Sequence, residues 1–472
     1  MLVTRSRINA KPQVVETVLD SVPFRITDPE RIPARRYYDQ RFFELECERL
    51  WPRVWQMACR LEEIPKVGDW IEYRILDKSV IVVRSDTGIK AFHNSCRHRG
   101  VALVEGQGNC AGQGFVCPFH GWRYDLNGNN TFVFGRQLFS DRCLDKSELA
   151  LVPCRVELWG GCAFINFDGQ AAPLIDSLGP VTQRLNARHV DKLKVEWWHS
   201  AVLPVNWKLA MEAFMEGYHV MRTHPQLQSL LMPGADRYVG NAARTSAVQR
   251  LSSREAIELT LKLLASLRAG MGGMIDAREM AIAESLRTMD VPDDVGAALA
   301  AFDRRFKDEI TAQGRARGIP VFDLHHVAET QPFHGVEFMF PHYFLLPMYS
   351  AMSSYRVRPL SAESCLFEIW SLALYPQDEE RERPIAPVPR AHNDRGFPEI
   401  PRQDYSNLPR QQLGLHAQGF EEMRLSSSVE GMISNYQRLI DGYLAGFEQS
   451  RLTHASQKVC SGYDGPVLDL GF

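Results

Sequence analysis

Along the chain, hydrophobic and polar positions alternate with different periods in different stretches. From about 37 to 55, "DQRFFELECERLWPRVW" sets Phe42, Phe43, Leu45, Leu50 and Trp51 near helical spacing with acidic residues between them. That spacing predicts a helix. The period then shortens. "DWIEYRILDKSVIVVRSDTGIKAFHNSC" carries β-branched and aromatic runs, and Asp77-Lys78 and Asp86-Thr87-Gly88 supply turns between them, the pattern of hairpins. Short runs of the same kind return in "GQGFVCPFHGWRYDLNGN" and "CRVELWGGCAFINFDG". Residues near 55–165 therefore read as a small all-β unit set into a longer chain.

Past Gly169 the periods lengthen again. "PVNWKLAMEAFMEGYHVMRTH" is compatible with a helix from about Trp207 to Val220. Residues 235–330 read as mainly helical: Ser252 and Glu255 form a capping box, and Asp290 with Pro292 marks another helix start. "GMGGM" at Gly270–Met274 separates these helices. Between 336 and 375 strands return, then a Pro-rich, charged loop through "PQDEERERPIAPVPRAHNDRGFPEIPRQD" and a last helix in "SSVEGMISNYQRLIDGYLAGF". No internal repeat is evident.

Composition narrows the function classes. A chain of 472 residues has room for about two to four domains. Lys and Arg number 54 against 57 Asp and Glu, a net charge of −3 with no basic run, so no nucleic-acid partner is expected. No apolar stretch is long enough for a signal peptide or a membrane span, and a cytoplasmic location is the expectation. There the ten cysteines should be reduced, so a cysteine cluster points to a metal or to catalysis.

Two such clusters stand out. Cys96-x-His98 is followed, 18 residues on, by Cys117-x-x-His120. Two thiolates and two imidazoles can hold one zinc ion, or a [2Fe–2S] cluster with both cysteines on one iron and both histidines on the other. In the cluster case Cys96 and His98 need not converge on one atom. Gly100, Gly121 and Pro118 allow tight loops whose N–H groups can turn toward sulfide. The boxes "CRHRG" and "CPFHGWRYD" resemble those of a Rieske [2Fe–2S] domain. The other eight cysteines show no ligand spacing, and most of them read as small buried hydrophobes.

About 100 residues further lies "EAFMEGYHVMRTHPQ". His219 and His224 are five apart, roughly 140° around an ideal helix, so they converge only where the helix ends or distorts. Pro225 suits an ending. Two histidines and a carboxylate on one face of an iron are the facial triad of non-heme Fe(II) oxygenases. The arrangement of Asn206-Trp207-Lys208, Glu216, His219 and His224 resembles the catalytic domain of Rieske-type ring-hydroxylating oxygenases, in the alpha (large) subunit. The third ligand implied by the resemblance is Asp404, with Asp394 and Glu399 as rivals and a helix-capping role for Asp404 as the alternative. Glu216, three residues before His219, would bridge the two metal centres across a subunit boundary by contacting a Rieske histidine of the neighbouring chain.

The resemblance implies an α+β chain. A small all-β Rieske domain (55–165) is inserted in a larger catalytic domain, with an antiparallel sheet covered by helices in a helix-grip-like arrangement. Residues 1–54 would be the N-terminal part of the catalytic domain and 166–472 the remainder, with the helical insert near 235–330 as a lid or entrance for a bulky substrate. The implied protein is a terminal oxygenase, a homotrimer. It would use O2 and electrons from NAD(P)H, delivered by a separate reductase directly or through a ferredoxin, because the chain carries no G-x-G-x-x-G in a βαβ setting and no flavin motif. The substrate would be hydrophobic, aromatic or polycyclic, as in aromatic hydrocarbon catabolism. Phe338, Phe340, Tyr343, Phe344, Leu345, Leu346, Met348 and Tyr349 are candidate pocket-wall residues. O- or N-demethylation uses the same metals and stays open, as do an electron-transfer protein with only the Rieske centre functional and a structural zinc protein.

Overall fold

A computed structural model describes residues 18–227, 237–239, 242–244, 251–332, 335–376, 378–379, 382–460 and 466–472. The N-terminal stretch read above for a signal peptide falls largely outside them.

The first helix, Gln40–Arg49, begins where the Asp39 side chain accepts from Arg41 N and Phe42 N, and it buries Phe42 and Phe43. The turn Ala34–Tyr37 before it is tied to the last long helix but one, Gly431–Leu444, by a buried ion pair, Arg36 Nη1 to Asp441 Oδ1 at 2.5 Å. Strand Arg31–Pro33 pairs antiparallel with Glu422–Arg424, so an early and a late segment of the chain meet.

Between them sits the all-β stretch. It contains a four-stranded sheet, a three-stranded sheet of very short strands (Phe115–Val116, Arg123–Tyr124 and Asn130–Phe132) and a second three-stranded sheet that joins Gln56–Arg60 to Arg155–Trp159 and Cys162–Asn166. Ile81, Val83, Phe92, Phe115, Trp122 and Tyr124 pack with Cys96 and Cys117 in a separate small core.

The large sheet holds six strands: Glu337–Met339, Tyr343–Pro347, Ala351–Ser361, Ser364–Ala373, Lys194–Leu203 and Val388–Ala391, in that spatial order. It is antiparallel except at one edge, where Val388–Ala391 runs parallel to Lys194–Leu203. That edge strand and the start of helix Glu399–Gly414 interrupt the loop expected after residue 376, and the described residues between them stay irregular. A Pro-rich stretch reads as loop, but an edge strand needs hydrogen bonds on one side only and tolerates Pro389.

Residues 235–330 are mainly helical, with a short hairpin first (Arg237–Val239 and Ala242–Arg244) and then helices Ser253–Met271, Ala277–Ser285, Val295–Ala316 and Leu324–Thr330. The Ser252/Glu255 capping box forms as expected. The start of the third helix does not lie at Asp290; Asp294 caps it through Ala297 N. "GMGGM" ends the first helix at Gly272, φ +63°, and brings the insert hard against the sheet: a Cβ at Gly273 would stand 2.1 Å from Ser371 Oγ.

Of the ten free cysteines, Cys47 and Cys110 are half-buried and Cys143 is exposed; the other seven are buried. Among the described residues no helix is long and apolar enough to cross a membrane.

Candidate two-centre metal site

The two Cys/His boxes fold alike. Cys96 N donates to Val101 O and Gly100 N to Cys96 O; Cys117 N donates to Trp122 O and Gly121 N to Cys117 O. Gly100 and Gly121 hold φ near +78° and +68°, a region other residues enter at a cost. Their N–H groups close the loops onto the cysteine carbonyls rather than turning toward a sulfide. The loops bring the His98 and His120 rings to 4.6 Å between centroids. His98 stacks on Trp122 at 4.9 Å, and Phe119 covers His120 at 3.9 Å. Partial burial, then the charges near His120 and Arg99, lower the His98 pKa and favour the neutral imidazole a ligand needs.

The donor atoms fit a metal cluster. His98 Nδ1 and His120 Nδ1 are buried and have no hydrogen-bond partner among the described residues. Orphaned buried nitrogens are costly unless something outside the protein satisfies them. A single zinc would draw all four donors onto one point. Among the described residues, the set whose donors converge that closely lies elsewhere, at His219, His224 and Asp404, within 4.8 Å of one another.

That trio depends on a broken helix. The helix begins at Trp207, capped by Asn206 through Lys208 N. Lys208 Nζ (2.6 Å) and Trp207 Nε1 (3.0 Å) both bond the buried Glu46. Removing one partner of such a pair costs about 3–5 kcal/mol, which explains the Asn206-Trp207-Lys208 run. The helix stops at Glu212 rather than continuing to Val220. Gly217 follows, and Glu216 Oε2 accepts from His219 N at 2.9 Å, so the chain restarts as the single turn Val220–Thr223. His219 enters that turn and His224 leaves it, at φ −116°, ψ 71°. The distortion needed to aim two histidines five apart at one point is thereby built in. Their Nε2 atoms lie 3.8 Å and 3.2 Å from Asp404 Oδ1.

Asp404 lies in the second turn of helix Glu399–Gly414 and caps nothing. The rival Asp394 pairs with Arg390, and Glu399 opens the helix; neither joins the histidines.

Each histidine is aimed from behind. Glu216 Oε1 holds His219 Nδ1 at 2.6 Å, and Gln403 Oε1 holds His224 Nδ1 at 2.7 Å. Burial opposes the imidazolium of His219, but the Glu216 hydrogen bond and charge, with Asp404, outweigh it and raise its pKa. Both Nε2 atoms are left facing Asp404.

Family comparison agrees with this two-centre layout. Residues 54–133 match the model of the Rieske [2Fe-2S] domain, and residues 190–446, more than half the chain, match the model of the ring hydroxylating alpha subunit, catalytic domain. The chain is a Rieske non-heme iron oxygenase alpha subunit. The cofactors of this family are the [2Fe–2S] cluster and a mononuclear iron. The oxygenase is 33% identical over 210 residues to the carnitine monooxygenase oxygenase subunit of Escherichia coli K12, covering 44% of this chain and 55% of that protein. It is 33% identical over 233 residues to the benzene 1,2-dioxygenase subunit alpha of Pseudomonas putida, covering 48% and 50%. The alignments thus span about half the length of these curated relatives. A naphthalene 1,2-dioxygenase structure with indole bound superposes at a TM-score of 0.61 with 21% identity, covering 92% of this chain and 97% of that one, a likeness of fold.

Two residues of this oxygenase's centres escaped the sequence reading. Tyr124, in the "WRYD" box, is buried with its hydroxyl 3.3 Å from Cys96 Sγ and accepts from Arg97 N. Hydrogen bonds to cluster sulfurs raise the reduction potential. Tyr124→Phe should therefore lower the potential measured by redox titration; an unchanged value would mean the hydroxyl bonds only the backbone. Gln403 is fixed by a reciprocal amide pair with Gln226, at 3.0 and 3.1 Å. Its place beside Asp404 was the available signal. Gln403→Leu should weaken iron binding about 10–100-fold, the usual cost of losing an outer-shell partner. Iron retention during chelator titration checks this.

Glu212, one turn before Glu216, is buried beneath an open crevice and accepts from Tyr37 Oη at 2.9–3.0 Å. Burial pushes its carboxyl from 4.5 up to about 7. With the folded value above the unfolded one, the stabilisation is full below about pH 4.5 and is lost as pH rises through about 7. Glu212→Gln should remove a slope on the order of 3 kcal/mol across that window. Denaturant midpoints at about pH 5 and pH 8 test it; parallel losses in both proteins would assign the slope elsewhere.

A cavity of about 180 Å³ opens onto the trio. Its apolar wall comes from Phe214, Val220, Leu267, Met271, Leu346 and Ile400. Of the eight wall residues expected from the strands, Leu346 alone lines it. Phe338, Phe340 and Phe344 fill one core, and Tyr343 and Leu345 another. Met348 and Tyr349 line a different cavity. Side chains alternate across a strand, and both faces of this sheet are covered. The helical insert supplies the missing wall through Leu267 and Met271.

Proposed function

We propose that this chain is the terminal oxygenase of a multicomponent system and hydroxylates a compact, uncharged, largely apolar substrate. Cys96 and Cys117 would hold one iron of the [2Fe–2S] cluster and His98 and His120 the other, while His219, His224 and Asp404 would hold Fe(II). The cluster would supply electrons and the mononuclear iron dioxygen activation. Electrons would come from NAD(P)H through a separate reductase, directly or through a ferredoxin. Glu216 and Gln403 orient the two imidazoles, and the apolar wall excludes water from the trio.

The observation that carries the substrate class is the charge around the cavity. Its charged or titratable lining groups are Glu216, His219, His224, Asp404 and Tyr355, and no Lys or Arg lines it among the described residues. Carnitine, named for the E. coli relative, is a zwitterion whose carboxylate asks for a cationic partner. Benzene, named for the P. putida relative, asks only for apolar walls. A cavity of ~150 Å³ accommodates benzene, so about 180 Å³ suits one ring with a small substituent. This is smaller than the bulky substrate suggested by the length of the insert. The test is a screen of substituted benzenes, tertiary amines and carnitine with isotope-labelled dioxygen, a surrogate reductase and mass detection. Label in ring-hydroxylated products with none from carnitine is the expected result. Carnitine turnover without arene turnover would reverse the assignment.

The proposal includes a homotrimer in which His98 or His120 of one chain meets Glu216 of the next. Glu216 lines a crevice of about 570 Å³ that is open to a neighbour's side chain, and Phe119 stands 55% exposed beside His120. Heterologous contacts of this kind close into rings.

A further inference from the structure

The segment "GMGGM" at Gly270–Met274 does more than end a helix. Its three glycines are points of close approach. A Cβ at Gly270 would stand 2.7 Å from Ile400 Cδ1, and one at Gly272 would stand 2.8 Å from Pro398 Cγ. Both neighbours belong to the start of the helix that carries Asp404. Gly273 meets Ser371 of the large sheet in the same way. Trp197 Nε1 donates to Gly272 O at 2.5 Å, and Arg268 Nη1 donates to Ile275 O at 2.8 Å. The glycines let the insert press onto that helix and onto the sheet, and these bonds hold it there.

The two methionines line the cavity beside the trio. Met271 ends helix Ser253–Met271, four residues after Leu267, which lines the same cavity. Residues four apart share a helix face. Met274 lies beyond the helix, and its backbone is strained. Its φ is +65°, in the left-handed region that a side chain of this bulk enters at a cost. The residue is buried, and Ile275 N donates back across it to Gly273 O at 2.7 Å, so the chain turns tightly there. Strain of this kind persists where the surroundings over-determine it, and it gathers at ligand sites. Here the surroundings are Ser371 against Gly273 on one side and Arg268 on Ile275 O on the other. A glycine would take the same backbone without that cost, and three of the four preceding residues are already glycine. What Met274 adds is its side chain.

We infer that "GMGGM" is the size-limiting wall of this cavity and that Met274 is its specificity-determining residue, filling the space that a second fused ring would need. The inference rests on the apolar-substrate reading above. A cavity of about 180 Å³ takes one ring with a small substituent. Removing the Met274 side chain joins the space it fills to that volume. Pinned by close contacts to two elements, the backbone of the wall does not recede before a longer molecule, so the discrimination is steric. An unbranched thioether still adjusts to different outlines. Substituents on one ring are therefore tolerated, and a second ring is not.

The probes are fluorobenzene and 1-fluoronaphthalene, followed by fluorine NMR on the purified, metal-loaded protein without O2, so that binding is read apart from turnover. The parent should bind fluorobenzene saturably and 1-fluoronaphthalene at least about tenfold more weakly, since even one methylene is worth about that much in an apolar pocket. Met274→Gly suits the backbone and should fold with its cluster spectrum intact. It should bring the two affinities within about threefold of each other. Met274→Ala removes nearly the same bulk without loosening the backbone and should do likewise. Met274→Leu, of similar volume, should keep the parent's preference. A parent that binds both probes equally, or a Met274→Gly protein that keeps the tenfold preference, would overturn the assignment while fluorobenzene binding left the apolar-substrate reading standing. A gain confined to Met274→Gly would trace the effect to backbone freedom and overturn the role of the side chain. Binding of neither probe by the parent would remove that reading and this inference together.

Discussion

Replacing His219 with alanine is expected to yield a protein that keeps the visible spectrum of a Rieske cluster and has lost the mononuclear iron and its product formation. The two centres rest on different elements: the cluster boxes pack in their own small core with Trp122 and Tyr124, whereas His219 stands at a single helical turn beside Asp404. Losing one of three donors removes a bond that His224 and Asp404 cannot replace, and it leaves Glu216 with no imidazole to orient. Even outer-shell losses cost about 10–100-fold, so turnover should fall below about one-hundredth. Total iron should drop by about one third while sulfide stays constant, since the cluster retains its two irons. Asp404→Ala should behave in the same way, and Asp394→Ala and Glu399→Ala should not. An Asp404→Ala protein with full iron and full turnover would remove that residue from the site.

Glu216→Gln separates orientation from communication. Within the chain both carboxylate oxygens are engaged, Oε1 with His219 Nδ1 and Oε2 with His219 N. An amide keeps one acceptor and turns the other into a donor, so it can serve one of these contacts. The cost to iron affinity should stay within about 10–100-fold, and iron content should recover when iron is supplied in excess. Passage of an electron between chains is a harsher demand, because a neighbour's histidine would need the same carboxylate as its acceptor. The variant should therefore retain its spectrum, iron and trimer, accept electrons from the reductase at a near-normal rate and form almost no product. A single-turnover experiment decides this: pre-reduced protein is mixed with O2 and substrate, and cluster oxidation is followed with product. Parent-like behaviour of Glu216→Gln would exclude the bridge, and an active monomeric parent would end the inter-subunit scheme.

Features whose parts lie close together in the chain were legible in the sequence. Cys96, His98, Cys117 and His120 fall within 25 residues and fold as two matching loops, so spacing alone carried the motif. The Ser252/Glu255 capping box and the break at Gly272 depend on neighbours within one turn and appear as read. His219 and His224 carried their own condition, that the helix must distort, and Gly217 with the Glu216 cap meets it. What lay far apart was decided by tertiary structure. Asp404 was chosen by resemblance over Asp394 and Glu399, and only the approach of helix Glu399–Gly414 to the turn Val220–Thr223 brings it within 3.2 Å of His224. Gln403 and Tyr124 are ordinary residues until packing sets an imidazole or a thiol beside them. The same holds for the cavity. Period-2 patterning marks a strand's two faces, but here both are buried, and which face meets a void depends on how the insert docks through Gly273 against Ser371. Local spacing thus pointed to the chemistry of each centre, and long-range packing decided which carboxylate stands beside the two histidines, the groups that aim them and the shape of the space beside them.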